Sequence, residues 1–245
     1  MPLDTYKQKR NFKVTPEPVG APQKKQSASP KLQYVIQKHR ATSLHYDFRL
    51  EHNGVLLSWA VPKGPSLDPS VKRLAMHVED HPLEYGGFEG IIPEGEYGGG
   101  TVMVWDNGTW EPDIPDIDAA LQKGDLKFTL HGKKLKGSWV LVHTRGFGGS
   151  QNSWLLIKHR DEFASTEDIL TDEPRSVLTR RLLADIAKAA GGDIAKAASG
   201  DPQPTAPTAQ KSSADANKSG ARTRKSAASR QRRAAPKSRR GKTKS

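Results

Sequence analysis

The 245-residue sequence contains no cysteine. A disulfide framework is therefore excluded, as is any zinc site built on thiolates, and the absence fits a reducing cytoplasm. The sequence also lacks an apolar run long enough to span a bilayer, and no apolar signal-peptide core follows its N-terminus. We therefore expect a cytoplasmic protein that is neither secreted nor inserted in a membrane.

Acidic residues are scarce near the C-terminus. Residues 211–245 contain 13 lysines and arginines and a single acid, Asp215, so this stretch accounts for the whole net charge of +12. The preceding 210 residues carry 26 basic and 26 acidic groups and are neutral. A basic block without aromatic residues favours a nonspecific tether to phosphate backbones over a charge run that only aids solubility. Because residues 201–245 lack the apolar mass that folding requires, we expect a disordered basic tail.

Helical patterns are also rare. From Leu32 to about Arg160, short strand patterns recur and are separated by turn signals such as Asn53-Gly54 and Asn107-Gly108. This pattern predicts a mainly all-β fold, a compact closed β-barrel over residues 32–165. We expect an N-terminal arm over residues 1–31, and a linker over residues 166–200 that contains a short amphipathic helix near residues 175–190.

The most informative segment runs from His45 to Glu51, where polar and apolar residues alternate as in a β-strand. Side chains at i and i+2 lie about 6.6 Å apart on one strand face, so His45 and Asp47 can share one ion. His39 is a candidate third ligand. Two imidazoles and a carboxylate suit manganese, zinc or iron. Arg49 extends the same face with a planar donor group that suits a phosphate.

A second stretch, residues 73–81, repeats the alternation. Arg73, Glu79 and His81 share one parity, and we expect them to face the same side of the barrel as the first cluster. Two strands with polar residues on one face predict a polar central cavity that contains a metal or phosphate site. Lys63 ends a strand between two prolines, and by itself it indicates only a solvated lysine.

Several longer motifs, in order, resemble the 3′-phosphoesterase domain of bacterial DNA ligase D, in its free-standing form. The resemblance covers roughly residues 7–160, and it implies a compact β-barrel that repairs DNA 3′ ends. A terminal ribonucleoside is removed first by phosphodiester cleavage, and a phosphomonoesterase step then leaves a 3′-hydroxyl. The motifs are Lys9-Arg10-Asn11-Phe12, Gln37-Lys38-His39, Glu79-Asp80-His81-Pro82, Phe88-Glu89-Gly90, and residues 15–18, 44–50, 58–65 and 92–98.

The resemblance also implies roles for particular residues and a manganese cofactor, for which other divalent transition metals can substitute. The implied metal ligands are His39, His45 and Asp47. The implied catalytic residues, which bind or act on the phosphate, are His81, Arg49, Lys63 and Arg73. The implied supporting residues, some of them in the N-terminal arm, are Arg10, Asn11, Glu17, Gln37, Glu79 and Tyr85.

The implied substrates are DNA 3′ ends in primer-template or nicked DNA, during break repair by non-homologous end joining. The sequence lacks the ligase motif Lys-x-Asp-Gly and has no room for ligase or polymerase domains. The resemblance therefore implies a separate DNA ligase or the end-joining machinery as partner. We expect a monomer associated with the bacterial nucleoid.

One departure from the family pattern keeps an alternative open. The family has Asp where this sequence has Asn11, and an amide keeps a hydrogen-bonding oxygen but cannot act as a base. The chain could thus be a DNA-end-binding module with weakened catalysis. A less favoured alternative is a non-haem iron oxygenase that uses His45, Asp47 and a distal histidine such as His81 or His143.

Overall fold

The computed structural model describes residues 3–20, 31–144 and 151–203. The strands in these ranges are β1 (Leu32–Arg40), β2 (Leu44–His52), β3 (Val55–Val61), β4 (Lys72–Pro82), β5 (Gly90–Ile92), β6 (Gly100–Pro112), β7 (Asp125–Gly132), β8 (Lys136–His143) and β9 (Ser153–Lys158). The helices are α1 (Asp4–Gln8), α2 (Ile117–Lys123), α3 (Ile169–Asp172), α4 (Leu183–Ala190) and α5 (Ile194–Ala198), with a 3-10 turn at Leu83–Gly87. Residues 21–30 of the arm and the basic tail from residue 204 lie outside the described residues. None of the described helices has the length and apolar content needed to cross a membrane.

The strands form one antiparallel sheet that closes on itself. Their order is β1-β2-β3-β4-β9-β8-β7-β6, and β6 pairs again with β1, which completes a ring of eight strands. The short β5 pairs with the first three residues of β6. The predicted closed β-barrel is therefore confirmed.

The barrel interior is apolar. Tyr46, Phe48 and Leu50 of β2 belong to the same buried cluster as apolar residues from the strands on the opposite side, such as Phe128 and Trp139. An eight-stranded barrel is just wide enough for side chains to fill it. The polar residues of β2 have the other parity and lie on the outer face. The prediction of a polar central cavity is therefore wrong. The apolar side chains of each strand share one face, and this face turns inward and fills the barrel.

A β-bulge in β4 decides which of its polar residues face the site. Ser58 pairs with Val78 and Leu56 pairs with His81, so two residues of β4 lie opposite one residue of β3. The extra residue reverses the parity beyond it. His81 therefore lies on the outer face, whereas Arg73 belongs to the interior parity, opposite Leu156. The expectation that Arg73 and His81 share a face is wrong for this reason.

The segment over residues 166–200 packs on the barrel rather than linking it to a tail. Leu183 and Ile186 of α4 and Ala197 of α5 are part of the main buried cluster. The carboxylate of Asp201 accepts hydrogen bonds from the backbone N–H groups of Leu183 (3.1 Å) and Ala184 (3.0 Å), so it satisfies the start of α4. Asp201, the first residue of the expected tail, therefore contacts the folded part of the chain. The helix expected near residues 175–190 begins only at Leu183.

Candidate active site

The outer face of β1–β4 is covered by the N-terminal arm and by the 3-10 turn. Tyr6 of α1 and Tyr85 of the turn form a second buried cluster with Val35, Leu56 and Val104 from the strands beneath. This apolar support fixes the arm against the sheet. The polar residues of β1, β2 and β4 beside it are therefore enclosed between the barrel and the arm.

His39, His45 and Asp47 meet at one point on this face. Each offers one ligand atom, and the three atoms lie within 4.8 Å of one another. His39 and His45 are paired across β1 and β2, and Asp47 follows two residues later on the same face of β2. The distances to the carboxylate are 3.8 Å from His39 Nδ1 and 3.7 Å from His45 Nε2. These separations allow a single ion between the side chains.

Two observations indicate that the imidazoles are oriented for a metal. His45 Nδ1 lies 3.0 Å from the carbonyl oxygen of Ser43, which can only accept, so Nδ1 carries the proton and the Nε2 lone pair faces Asp47. His39 Nε2 is buried and has no hydrogen-bond partner among the described residues. Burial also lowers the pKa of His45, which favours the neutral form that binds metals. The cluster therefore fits a divalent transition metal.

Asp47 is ionised. Burial alone would raise its pKa, but the guanidinium of Arg49 and the neighbouring imidazoles hold the pKa of this carboxyl well below its usual range. Arg49 Nη2 donates to Asp47 Oδ2 over 3.0 Å. The pair is buried, since the Arg49 side chain is 2% exposed and that of Asp47 is 10% exposed.

Arg49 joins the metal-ligand cluster to a second group of polar residues. Its Nε donates to Gln37 Oε1 over 2.8 Å, and its Nη1 donates to Ser58 Oγ over 2.7 Å. Gln37 in turn donates to the carbonyl oxygens of Tyr85 and Phe88, each over 2.9 Å. The guanidinium also lies 5.0 Å from the ring centre of Tyr85. Arg49 is therefore held rigidly, with one face toward Tyr85.

His81 lies between two arginines. Arg49 Nη1 is 2.9 Å from its Nδ1, and Arg10 Nη2 is 3.1 Å from its Nε2. Nδ1 is also 2.8 Å from the carbonyl oxygen of Glu79, so Nδ1 carries the proton and Nε2 accepts from Arg10. Burial, together with the charges of Arg49 and Arg10, lowers the pKa of His81 well below its ordinary value. The imidazole is neutral.

Arg10 brings the N-terminal arm into the same network. Its Nε donates to Glu17 Oε1 over 2.8 Å, and its Nη1 donates to Glu79 Oε1 over 3.2 Å. The guanidinium lies 3.9 Å from the ring centre of Tyr6. Burial opposes ionisation of Glu79, but hydrogen bonds from its own backbone N–H, from Lys9 and from Arg10 lower its pKa. Two carboxylates thus orient this guanidinium toward His81.

Asn11 does not join the network among the described contacts. It is exposed, and its Oδ1 accepts a hydrogen bond of 3.2 Å from the backbone N–H of Lys13. The side chain therefore stabilises a local turn beside Arg10.

Lys63 and Arg73 also lie apart from the network. Both line a recess that they share with Ser66 and with residues 166–170, and none of the three metal-cluster residues lines it. Arg73 Nε is buried and has no hydrogen-bond partner within the described ranges. The structure thus groups Lys63 with Arg73, and not with His81.

The sequence alone does not identify three residues that contact the site. Ser58 is fully buried and contacts Arg49, and its signal was a lone polar residue within the apolar run of β3. Tyr6 packs on Arg10, and the hydroxyl of Tyr97 accepts a hydrogen bond of 3.2 Å from Lys9 Nζ. The tyrosines carry no local signal, because their contacts are made by distant segments.

The distal histidines proposed for an oxygenase are not part of the metal-ligand cluster. His81 is engaged by Arg10 and Arg49, and His143 Nε2 donates to the carbonyl oxygen of Gln151 over 2.6 Å. His39, from the neighbouring strand, is the second imidazole of the cluster instead.

Comparison with known proteins finds similar sequences in bacterial end-joining proteins. A protein of Pseudomonas aeruginosa named "Multifunctional non-homologous end joining protein LigD" is 52% identical over 185 residues, which cover 74% of this chain and 22% of that protein. The protein of the same name from Mycolicibacterium smegmatis is 41% identical over 165 residues, which cover 65% of this chain and 21% of the relative. The "Multifunctional non-homologous end joining DNA repair protein LigD" of Mycobacterium tuberculosis is 46% identical over 144 residues, which cover 59% of this chain and 18% of the relative. The chain thus spans about a fifth of the length of these relatives.

The family described as the DNA Ligase D 3′-phosphoesterase domain matches residues 37–143. This range begins at Gln37, includes the metal-ligand cluster, Arg49 and His81, and ends at the last residue of β8. The β-barrel of this chain therefore belongs to the DNA Ligase D 3′-phosphoesterase domain family, as the resemblance of its motifs indicated.

Proposed function

We propose that the chain is a metal-dependent phosphoesterase that processes DNA 3′ ends during non-homologous end joining. On this proposal it removes a 3′-terminal ribonucleoside and then the 3′-phosphate, and leaves a 3′-hydroxyl. The observation that carries the proposal is the position of Arg49, whose guanidinium contacts both the carboxylate of the metal-ligand cluster and the imidazole of His81. A phosphate bound there lies between a metal site and a histidine.

His39, His45 and Asp47 would hold the metal, and manganese is our proposed ion. When bound, the metal supplies Lewis-acid polarisation of a phosphate oxygen. His45 is oriented in advance by the Ser43 carbonyl oxygen and Asp47 by Arg49, which reduces the reorganisation needed for binding.

Arg49 and Arg10 would bind and neutralise the phosphate. Both are buried and held by neighbouring acceptors, so they present fixed donors rather than flexible ones. The substrate phosphate would compete with His81 Nε2 for Arg10 Nη2, and with Ser58 for Arg49 Nη1. We assign Gln37, Glu17 and Glu79 the role of holding these guanidiniums in place.

His81 would serve the leaving oxygen. Two adjacent positive charges and burial keep it neutral in the free protein. A bound phosphate dianion would offset those charges and raise the pKa of His81, because an opposite charge favours the protonated form. The histidine could then donate a proton to the departing oxygen. Tyr85, which packs on His81 at 4.8 Å between ring centres, keeps the ring oriented.

Lys63 and Arg73 would contact the substrate at a separate position. They lie apart from His81, so we propose that they bind a phosphate other than the one at His81, against the opposing charge of Asp68, Glu167 and Asp168 in the same recess. As substrate we propose DNA 3′ ends in primer-template or nicked DNA, with a separate ligase or end-joining machinery to seal them.

The test uses the full chain, Mn²⁺ and a primer-template whose primer ends in one ribonucleotide. We expect two successive products, a 3′-phosphate and then a 3′-hydroxyl, resolved by gel electrophoresis and by sensitivity to a phosphatase. A chelator should stop both steps, and His45→Ala should not form either product. A wild-type protein that binds the DNA with Mn²⁺ and leaves its 3′ end intact would support the DNA-end-binding alternative instead.

A further inference from the structure

A short loop after α3 has an unusual conformation. Arg180 has φ of +61°, which non-glycine residues rarely adopt. The loop is closed by backbone hydrogen bonds from Ser176 N to Arg181 O (2.9 Å) and from Arg180 N to Ser176 O (3.1 Å). Arg175 Nη1 also donates to the carbonyl oxygen of Arg180 over 3.1 Å. A strained residue at the tip of a tightly bonded loop is a common feature of functional sites.

The loop is anchored on one buried carboxylate, that of Glu89. Its Oε2 accepts from Ser176 Oγ over 2.6 Å, and its Oε1 accepts from Arg181 Nη2 over 3.2 Å and from the hydroxyl of Thr179. Glu89 also accepts a hydrogen bond of 3.2 Å from the backbone N–H of Val104 in β6. The residue before it, Phe88, accepts from Gln37 in the active-site network. The position of the loop is therefore tied to the active site.

The loop and the nearby connection between β7 and β8 carry cations that have no acidic partner among the described residues. Arg175, Arg180 and Lys133 are exposed, and no ion pair involves them among the residues that the structure describes. Arg180 and Lys133 line one recess together with Lys134, and Glu173 is the only acid in its described lining. Lys134 Nζ is held by the carbonyl oxygens of Glu173 (2.8 Å) and Arg175 (2.6 Å). The recess thus has a fixed excess of positive charge.

An open groove adjoins this recess and is lined in part by residues of β1 and β3, two of the strands beneath the active site. Lys133 lines both the recess and the groove, whose floor includes Val35 and Leu56. Val35 is the strand partner of Arg49, and Leu56 is the strand partner of His81. Gly86 and Gly87, which have no side chains, also line the groove.

We infer that Arg180 and Lys133 bind a backbone phosphate of the DNA duplex, upstream of the 3′ end that occupies the active site. The inference rests on the proposed function for its ligand, and it adds a surface outside the metal centre. Two exposed cations without an acidic partner, beside a groove lined by the strand partners of Arg49 and His81, supply the positive charge that a phosphate backbone attracts. Glu89 is a positioning residue for this contact.

Binding is measured by fluorescence anisotropy with the full chain, a catalytically inert all-DNA primer-template, and a salt series. Arg180→Ala and Lys133→Ala should each weaken binding by about three- to tenfold, the loss of one charged phosphate contact. Each should also reduce the log-log salt slope by roughly 0.9. Arg180→Lys should restore most of the affinity. Lys127→Ala, which removes another exposed charge, from β7, is the control and should change little.

Two further arms separate this role from a structural one. Arg180→Gly relieves the strained conformation, so it should raise the melting temperature while it weakens DNA binding. A duplex of about half a helical turn should bind wild type and Arg180→Ala alike, whereas one of about two turns should distinguish them.

The inference is overturned if Arg180→Ala and Lys133→Ala bind the long duplex as Lys127→Ala does. It is also overturned if the short duplex shows the same loss as the long one, since the ligand would then be a lone phosphate and not the duplex flank. A failure of the proposed function has a different signature: wild-type protein would leave 3′ ends intact whatever the binding results. The kcat of the binding variants at saturating substrate should equal that of wild type.

Discussion

Arg49 and Asp47 stand two residues apart on β2 and form a buried ion pair of 3.0 Å. One member is a candidate metal ligand and the other a candidate phosphate ligand. Because the pair is desolvated, removal of either member leaves a buried charge without its partner, which costs about 3–5 kcal/mol of stability. Substitutions at these two positions therefore mix effects on folding with effects on chemistry.

His45 is the better position for a test of the metal site. Its side chain is 23% exposed, and it is not a member of the buried ion pair of Arg49 and Asp47. We expect His45→Ala to abolish metal binding and both esterase steps while the circular dichroism spectrum stays unchanged. Metal content is measured by mass spectrometry after dialysis against Mn²⁺. His131→Ala, at an exposed histidine paired with Glu111, is the control. Wild-type metal content in His45→Ala would rule out this site.

Ser58 offers a test of whether Arg49 must be held in place. Ser58→Ala removes an acceptor from a buried guanidinium, a loss of about 1.5–3 kcal/mol for a charged hydrogen bond. We expect kcat/KM to fall by about ten- to hundredfold with metal content unchanged. Ser153→Ala, at a buried serine whose hydroxyl lies 3.5 Å from the sulfur of Met76, is the matched control and should keep its activity. Equal rates for both variants would mean that Ser58 is only structural.

Asn11 tests the departure from the family pattern. Its Oδ1 accepts from the backbone N–H of Lys13, and an aspartate can make the same bond, so Asn11→Asp should leave the fold intact. If one step relies on a carboxylate there, that step should accelerate by at least about tenfold while the other is unchanged. The two steps are measured separately, with a ribonucleotide-ended and a 3′-phosphate-ended primer. Unchanged rates on both primers would show that the departure is neutral.

The raised pKa of Asp80, in the bulge of β4, predicts that stability depends on pH. Burial and the neighbouring Glu79 raise its pKa to about 6. The folded state thus holds its proton more tightly than the unfolded state, and stability falls as pH rises from about 4 through 6. Asp80→Asn should remove this loss, with a gain of about 1 kcal/mol at pH 7 after allowance for solvent screening and almost none at pH 4. Urea unfolding at the two pH values measures it, with Asp113→Asn as control. An equal gain at both pH values would contradict the prediction.

We expect the basic tail to determine DNA affinity without affecting the rate of the chemical steps. Residues 211–245 carry 13 of the 39 basic residues. Deletion of 205–245 should flatten the salt dependence of binding and raise KM on long DNA, because counterion release scales with the phosphates neutralised. The kcat on a short oligonucleotide at saturation should barely change. An unchanged salt slope, or a lost kcat, would show that the tail is not a simple tether.

The deletion must begin after Pro204, because Asp201 belongs to the folded unit. Asp201 binds the first N–H groups of α4 and lies 4.0 Å from the buried Lys38 Nζ. A deletion from residue 201 should therefore lower the melting temperature, whereas a deletion from 205 should not.

Local alternation along the chain is enough to predict the strands and to bring the candidate metal ligands together. Alternation along β2 places His45 and Asp47 on one face, and this is a local property of an extended chain. The family motifs likewise imply that Arg10, Glu17, Gln37 and Glu79 belong to one site. In the structure Arg10 donates to Glu17 and Glu79, and Gln37 accepts from Arg49. For these residues, local pattern and fold agree.

Tertiary contacts determine which face of the barrel is polar and which residues reach the site from distant parts of the chain. A period of two distinguishes two faces but does not say which one turns inward, since that depends on barrel closure between β1 and β6. The bulge in β4 likewise arises from its pairing with β3, and it separates Arg73 from His81. The loop that carries the strained Arg180 is anchored on the carboxylate of Glu89, 91 positions before Arg180 in the chain. Such long-range pairings leave no periodic trace in the sequence, because each is set by surfaces that meet only when the barrel closes.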